Sequence, residues 1–160
     1  MLLHDNSLAV YQDSNLTTDN RDRILEVLGR RYVRERQHVM RFCQHAERIA
    51  DDRIRLALLH MAAKEECHVR AIAAHIVGLG GALPTLVDFH CSSDNAWEYL
   101  RSDLDDERRC IAEIAEDKRA IGAEFPAIID LLDRIEADAN RHREQIRALL
   151  SNEARPLWAA

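Results

Sequence analysis

Apolar residues recur at alternating intervals of three and four in four long stretches of the chain, which is the spacing of one buried face on an amphipathic helix. The inward positions are Leu28, Tyr32, Glu35, Val39, Phe42, Ala46 and Ile49 in the first stretch, Leu58, Met61, Glu65, His68, Ile72 and Leu79 in the second, Trp97, Leu100, Leu104, Glu107, Ile111, Ile114 and Ile121 in the third, and Ile128, Leu132, Ile135, Ala139, His142, Ile146 and Leu149 in the fourth. The pattern therefore predicts an all-α protein with four helices.

The lengths of the connections predict how these helices are arranged. Short links at residues 50–52 and 122–125 force the first helix against the second, and the third against the fourth, as antiparallel hairpins. The link between the hairpins is longer, because residues 81–93 can extend over about 40 Å, the length of a helix of about 27 residues. We therefore expect a four-helix bundle in which two antiparallel hairpins are joined by one long crossover.

Composition agrees with one helical domain. The chain has 160 residues, of which 47% are hydrophobic and 31% charged, with only five glycines and three prolines. Such a composition suits long helices and disfavours an all-β fold. We expect an N-terminal arm over residues 1–20, the bundle over 21–150 and a C-terminal tail over 151–160, in which Leu157 and Trp158 are candidates for a contact with another molecule.

Charge and cysteine usage narrow the partners and the compartment. With a formal net charge of −6, the protein has no general attraction for nucleic acid or for an anionic membrane, so we expect neither as a partner. The four cysteines, Cys43, Cys67, Cys91 and Cys110, form no close pair and are interpreted as small buried residues in a reducing compartment. Since no secretion signal or membrane span is recognisable either, we expect a cytoplasmic protein.

Ionisable side chains interrupt the apolar face of every helix near its middle. These residues are Glu35, Glu65, His68, Glu107 and His142. In a bundle they should converge at one level, where burying several unpaired carboxylates costs several kcal/mol each unless a cation compensates them. Mixed carboxylate and imidazole ligation suits iron, manganese or zinc. The sequence therefore predicts a buried metal site, the alternative being a hydrogen-bonded polar network without metal.

The remaining histidines and the charged pairs are not assigned to the main ligand set. His60 and His75 are interpreted as buried, hydrogen-bonded side chains without a site role. His38 and His45 adjoin the face of Glu35 and are candidates for supporting residues or for ligands on an iron entry route. The Arg-Arg and Asp-Asp pairs along the chain are interpreted as solvated helix surfaces.

At these positions the chain resembles the bacterioferritins and the wider ferritin-like di-iron carboxylate superfamily over roughly residues 24–150. The resemblance rests on three segments of the sequence. They are Glu35 with the segment through Phe42, His45 and Ala46, the Glu65-x-x-His68 motif followed by Leu79-Gly80-Gly81 and Pro84, and the stretch Leu100-Arg101-Ser102-Asp103-Leu104-Asp105-Asp106-Glu107. The resemblance implies a ferritin-like four-helix bundle.

It also implies a ligand set and an activity. Glu35, Glu65 and His68 would hold one iron, and Glu107 and His142 would belong to the second iron position. The implied reaction is oxidation of ferrous iron by oxygen or peroxide, for iron storage or detoxification, in a homo-oligomer. Manganese and zinc remain alternatives to iron.

Two positions depart from the family pattern. Ala139 stands where the family has a second bridging glutamate; Asp138 is a candidate replacement, whereas Glu136 is rotated away. Glu66 stands where bacterioferritins carry the methionine that binds haem, which argues against haem. The loss of a bridging carboxylate leaves open a non-catalytic bundle that acts as an interaction or cargo protein. A rubrerythrin-like peroxidase is a further alternative that would need a separate electron donor.

Overall fold

The computed structural model describes residues 16–86 and 95–153, which form four α-helices. They are α1 (Thr18–Arg48), α2 (Asp52–Gly78), α3 (Ala96–Ile121) and α4 (Pro126–Glu153). The expected all-α fold is confirmed. Most of the expected N-terminal arm, the middle of the crossover and the tail with Leu157 and Trp158 lie outside the described residues.

Local sequence signals set the helix ends. Thr17 precedes α1 and accepts a hydrogen bond from the backbone N–H of Asn20, and Asp51 precedes α2 and accepts from the backbone of Arg53. Each satisfies donors that the first helical turn leaves unpaired. At the other hairpin, Gly122 has a φ of +81°, a conformation that L side chains rarely adopt, and Pro126 begins α4. Both hairpin turns therefore lie within a residue of where the sequence places them.

Contacts at one end of the bundle define the helix directions. Arg21, near the start of α1, donates to the backbone oxygen of Leu79 at the end of α2 over 2.8 Å. Arg23 lies 3.4 Å from Glu124, between α3 and α4. The ends of α2 and α3 therefore lie at the same end of the bundle, so these two helices run parallel. A parallel pair requires a connection along the length of the bundle, which confirms the crossover.

Two apolar clusters fill the bundle, one on each side of a polar layer. The first packs residues from the start of α1, the end of α2, the end of α3 and the start of α4: Ile24, Val27, Leu28, Ile72, Ile76, Leu79, Cys110, Ile114, Ile121, Phe125, Ile128, Leu131, Leu132 and Ile135. The second packs the opposite ends: Phe42, Ala46, Ile49, Ile54, Leu58, Met61, Ala62, Tyr99, Leu100 and Ile146. The layer between them is closed off by hydrocarbon above and below, so water has little access to it.

Several burial predictions are wrong. Val39, Trp97, Ile111 and His75 are only partly buried, and His60 is exposed. Tyr32, Leu104 and Leu149 are also partly buried, but they pack against the two clusters. The Arg-Arg and Asp-Asp pairs are not uniformly solvated, since Arg31 and Asp106 are 2% exposed. Arg31 and Asp106 are buried because α1 packs against both α2 and α3, so the buried surface of α1 is wider than a single stripe. Among the cysteines, Cys110 is buried as expected, Cys43 is partly buried, Cys67 is exposed, and Cys91 lies outside the described residues.

None of the described helices combines the length and apolarity that crossing a membrane requires.

Candidate metal centre

The polar layer contains the five ionisable residues that interrupt the apolar faces. Glu35 is 0% exposed, Glu107 1%, Glu65 2%, His142 3% and His68 7%. Each comes from the middle of its helix, and together all four helices contribute. The predicted convergence of these side chains at one level is therefore observed.

Glu65 lies at the middle of the layer and contacts a histidine with each carboxylate oxygen. Its Oε2 lies 2.9 Å from His68 Nδ1, and its Oε1 lies 2.9 Å from His142 Nδ1. Glu35 Oε2 is 3.3 Å from His68 Nδ1, and Glu107 Oε1 is 3.3 Å from His142 Nδ1. We call Glu35, Glu65 and His68 the His68 subset, and Glu65, Glu107 and His142 the His142 subset. Glu65 belongs to both.

Many polar atoms of the layer are close together without making hydrogen bonds. Glu35 Oε1, both carboxylate oxygens of Glu107, and His142 Nδ1 are buried and have no hydrogen-bond partner among the described residues. His142 Nδ1 is near two carboxylate oxygens, but the contacts lack hydrogen-bond alignment. Leaving such groups unsatisfied costs about 1–3 kcal/mol each, and more when they are charged. Buried donor atoms that lie close together without hydrogen-bond partners fit a bound cation.

Three groups of side chains place donor atoms within 4.8 Å of one another, close enough to share an ion. They are Glu35, Glu65 and His68; His38, Glu65 and Glu107; and Glu35, His38 and Cys110. The first is the His68 subset. The sequence analysis assigned His38 a supporting or entry-route role and Cys110 a packing role, so it placed neither in a candidate ligand group. The signal was present, because each lies three residues after a glutamate of the layer and therefore on the same helix face.

Asp138 lies on the far side of the His68 ring from the two glutamates. Its Oδ2 is 3.0 Å from His68 Nε2, whereas Glu35 and Glu65 face Nδ1. Asp138 also accepts from Arg141. A carboxylate on the second nitrogen fixes the tautomer and the orientation of a histidine that binds metal through the first. Ala139, 3% exposed, is three residues before His142 on the same face of α4 and offers no donor atom.

His38 and His45 each contact an aspartate of α3. His38 Nε2 is 3.0 Å from Asp106 Oδ2, and His45 Nδ1 is 2.8 Å from Asp103 Oδ2. His45 also stacks on Tyr99 with ring centroids 4.4 Å apart. His38 therefore lies inside the layer. His45 contacts α3 one helical turn before Asp106, toward the second apolar cluster.

A buried arginine adjoins the layer on the other side. Arg31 Nη2 is 2.7 Å from Asp117 Oδ2, and Arg31 Nη1 donates to Cys110 Sγ over 3.2 Å. The same nitrogen is 3.6 Å from Glu35 Oε1. A permanent positive charge therefore lies beside Glu35, one of the candidate metal ligands. Outside Arg31, a groove of about 600 Å³ runs between α1 and α3, with Glu113 and Asp117 in its wall.

The pKa values of the layer reflect crowding of like charges. Burial and the neighbouring carboxylate of Glu65 raise the pKa of Glu35 to about 7. Burial works against the charged form of His68, but Glu35 and Glu65 outweigh it and raise its pKa to about 10. Burial likewise opposes the charged form of His142, but Glu107 and Glu65 raise its pKa to about 9. Protons therefore occupy the layer at neutral pH when no metal is bound, and a metal must displace them.

This protonation gives the metal-free protein a pH-dependent stability. His68 and His142 titrate near pH 6.5 when unfolded but at about 10 and about 9 when folded. The stability that their protonation contributes is present below pH 6.5 and is lost as the pH rises through these folded values. We expect the urea midpoint of chelator-treated protein to fall between about pH 6.5 and about pH 10. The triple variant His38→Gln, His68→Gln, His142→Gln should lose most of this dependence, because Asp106 outweighs burial and raises the pKa of His38 to about 9 as well. The exposed-site variant His60→Gln should keep it. A midpoint that stays constant or rises over this range would contradict the assignment.

The sequence matches no protein-family profile and no curated protein. Comparison of the fold does find relatives. Bacterioferritin from Desulfovibrio desulfuricans, a protein with a di-iron site, superposes with a TM-score of 0.75 and 20% identity over 83% of this chain and 81% of that one.

Two further solved structures are similar. A ferritin-like di-iron carboxylate protein from Bacillus anthracis str. Ames gives a TM-score of 0.72 with 19% identity, covering 84% of this chain and 99% of its own. A dodecameric thioferritin, the bacterioferritin-related protein of Bacteroides fragilis, gives 0.72 with 16% identity, covering 93% and 94%. The chain therefore has the ferritin-like four-helix fold, and its structure resembles bacterioferritin and the ferritin-like di-iron carboxylate proteins.

Proposed function

We propose that this protein binds two transition-metal ions in the polar layer and oxidises ferrous iron there, for iron storage or detoxification. The observation that carries the proposal is the position of Glu65. Its two carboxylate oxygens each lie 2.9 Å from a different histidine. A carboxylate between two imidazoles is suited to bridge two ions, with Glu35 and Glu107 as the outer ligands.

The donor set suits iron as the substrate. Carboxylate oxygens are hard anionic ligands that stabilise the ferric state, and the neutral imidazoles complete each ion without adding charge. Two ferrous ions give up two electrons in total, which with two protons reduce one dioxygen to hydrogen peroxide or one peroxide to water. Manganese or zinc would fit the same ligands but would not give this reaction under the same conditions.

The surrounding residues hold these ligands in place. Asp138 orients His68 through Nε2, at 3.0 Å. Arg31 keeps a positive charge 3.6 Å from Glu35 Oε1, which favours the ionised carboxylate that a metal needs. The two apolar clusters exclude water, which strengthens each electrostatic contact within the layer.

Assembly is part of the proposal. The thioferritin of similar fold is a dodecamer, and we expect this chain to form a homo-oligomer as well. Size-exclusion chromatography with light scattering should give a mass that is a multiple of the 18.4 kDa of one chain.

The second candidate is a bundle that binds metal without turnover and serves as an interaction or cargo protein. Ala139 favours it, because a methyl group occupies the position at which the family supplies a second bridging carboxylate. One bridge instead of two would hold the ions less firmly during a change of oxidation state.

Oxygen uptake after ferrous iron is added to metal-free protein separates these candidates. We expect wild-type protein to consume oxygen faster than the same iron in protein-free buffer, and Glu107→Ala to return the rate toward that of buffer. Glu116→Ala, at an exposed glutamate further along α3, is the matched control. Bound iron without accelerated oxygen uptake would favour the non-catalytic bundle, and no bound metal at all would overturn both.

A further inference from the structure

We propose that His38 is a metal ligand of the His142 subset and occupies the coordination role that the missing carboxylate at position 139 leaves open. The inference rests on the proposed metal centre and specifies its second half. That half would then contain Glu65, Glu107, His142 and His38, two carboxylates and two imidazoles.

In the described part of α4, no carboxylate joins the His142 subset. Ala139 offers no donor atom, and Asp138 is directed to Nε2 of His68, on the other side of that ring from the shared glutamate. Glu136 is bonded to Lys118, away from the layer. Within the described part of α4, His142 is therefore the residue that reaches the His142 subset.

On α1, His38 lies close to two glutamates of the centre. His38 is 2% exposed, and a ring nitrogen of this residue lies within 4.8 Å of donor oxygens of both Glu65 and Glu107. Its Nε2 lies 3.0 Å from Asp106 Oδ2. Asp106 therefore takes up Nε2, and Nδ1 of the neutral imidazole keeps a lone pair that a metal can use.

Asp106 competes with a metal for His38. Asp106 is already surrounded by arginines: Arg34 at 3.1 Å, Arg41 at 3.2 Å and Arg109 at 2.8 Å. These three arginines stay beside the carboxylate when His38 gives up its proton to a metal. His38 can therefore bind a metal as neutral imidazole, with Asp106 behind it as an orienting group.

Replacing a carboxylate with an imidazole changes what the second position prefers. An imidazole adds no negative charge and is a softer donor than carboxylate, so the His142 subset should favour divalent ions over ferric iron more than the His68 subset does. The two positions would then differ in the oxidation state of iron that they prefer. The His68 subset, with Glu35 supported by Arg31, would be the better ferric site.

Anaerobic titration of the metal-free full chain with Co²⁺ tests the assignment without relying on activity. Stoichiometry comes from equilibrium dialysis, and the number of bound histidines is followed by the paramagnetically shifted imidazole N–H signals in the NMR spectrum. We expect two ions per wild-type chain. His38→Ala should lose at least about tenfold in affinity for one of them, together with one shifted imidazole signal. His60→Ala, at an exposed position on α2, should behave as wild type.

Combined variants identify which ion depends on His38. His38→Ala with His142→Ala should still bind one ion, whereas His38→Ala with His68→Ala should bind none tightly. Adding Ala139→Glu to His38→Ala should restore the second ion, which a role for His38 in folding alone would not produce. Circular dichroism confirms that each variant is helical. Two ions bound to His38→Ala with wild-type affinity would overturn the role of His38 and leave the metal centre standing, and a wild-type chain that binds no Co²⁺ would overturn both.

Discussion

Replacing Glu65 with alanine should abolish tight binding at both metal positions, which is the largest effect we expect from any single substitution in the centre. Glu65 is 2% exposed and lies 2.9 Å from His68 through one oxygen and 2.9 Å from His142 through the other. Removing it deprives both subsets of their shared anion. Elemental analysis after anaerobic ferrous loading and desalting should therefore show about two ions in wild type and close to none in Glu65→Ala.

Glu66→Ala is the matched control for this substitution. Glu66 is the next residue along α2, but it is partly exposed and pairs with Arg36 at 3.0 Å instead of facing the layer. The same loss of side-chain volume and charge at Glu66 should leave both ions bound. Retention of one tightly bound ion in Glu65→Ala would show that the two subsets are independent and that Glu65 is not shared.

Arg31→Met should give the largest loss of folding stability among substitutions outside the ligand set. Methionine retains much of the side-chain volume, but Asp117, 5% exposed, would lose its 2.7 Å partner, and Glu35 would lose a positive charge 3.6 Å away. Breaking a buried pair by removing one partner costs about 3–5 kcal/mol. Urea denaturation of the metal-free protein at neutral pH should show a lower free energy of unfolding by that amount, with an unchanged dependence on urea concentration.

The neighbouring arginine supplies the control. Arg30 also contacts Asp117, at 3.3 Å, but about half of its side chain is exposed. Arg30→Met should cost about 1 kcal/mol or less, because exposed pairs are screened by water. Equal effects of the two substitutions would contradict the view that burial, and not charge count, makes Arg31 important.

Much of the fold could be predicted from the sequence because its signals are periodic and local. The apolar faces defined four helices, and the short links near residues 50 and 122 defined the hairpins. Glu65 and His68 were recognisable because each replaces a hydrophobic residue at an inward position. Charged residues at such positions are rare unless something compensates them, so the pattern alone indicated a common layer.

The rest depended on which helix faces meet, and the periodicity of a single helix does not contain that information. His38 lies one position before Val39 of the predicted stripe, yet it is buried because α1 contacts α3 as well as α2. Arg31 was interpreted as solvated because its partner Asp117 lies 86 residues away. Asp138 was a candidate replacement for the bridging glutamate, whereas in the structure its Oδ2 lies 3.0 Å from Nε2 of His68, a direction that only coordinates give.

If His38 is a ligand as proposed, the centre keeps its donor count although position 139 offers no carboxylate. Ala139 removes a carboxylate from α4, and His38 brings an imidazole from α1 into the same layer. The total charge of the ligands becomes less negative by one, which should weaken the hold on ferric iron more than that on ferrous iron. Release of oxidised iron from the His142 subset would then be easier than from the His68 subset.

Anomalous X-ray diffraction from crystals loaded anaerobically with Co²⁺ tests the central claim most directly, since it locates each ion and its ligands without relying on turnover. We expect two peaks in the polar layer of every chain, both within bonding distance of Glu65, one beside His68 and the other beside His142. Peaks confined to surface carboxylates, with none in the layer, would contradict the metal centre and leave these residues as a buried polar network.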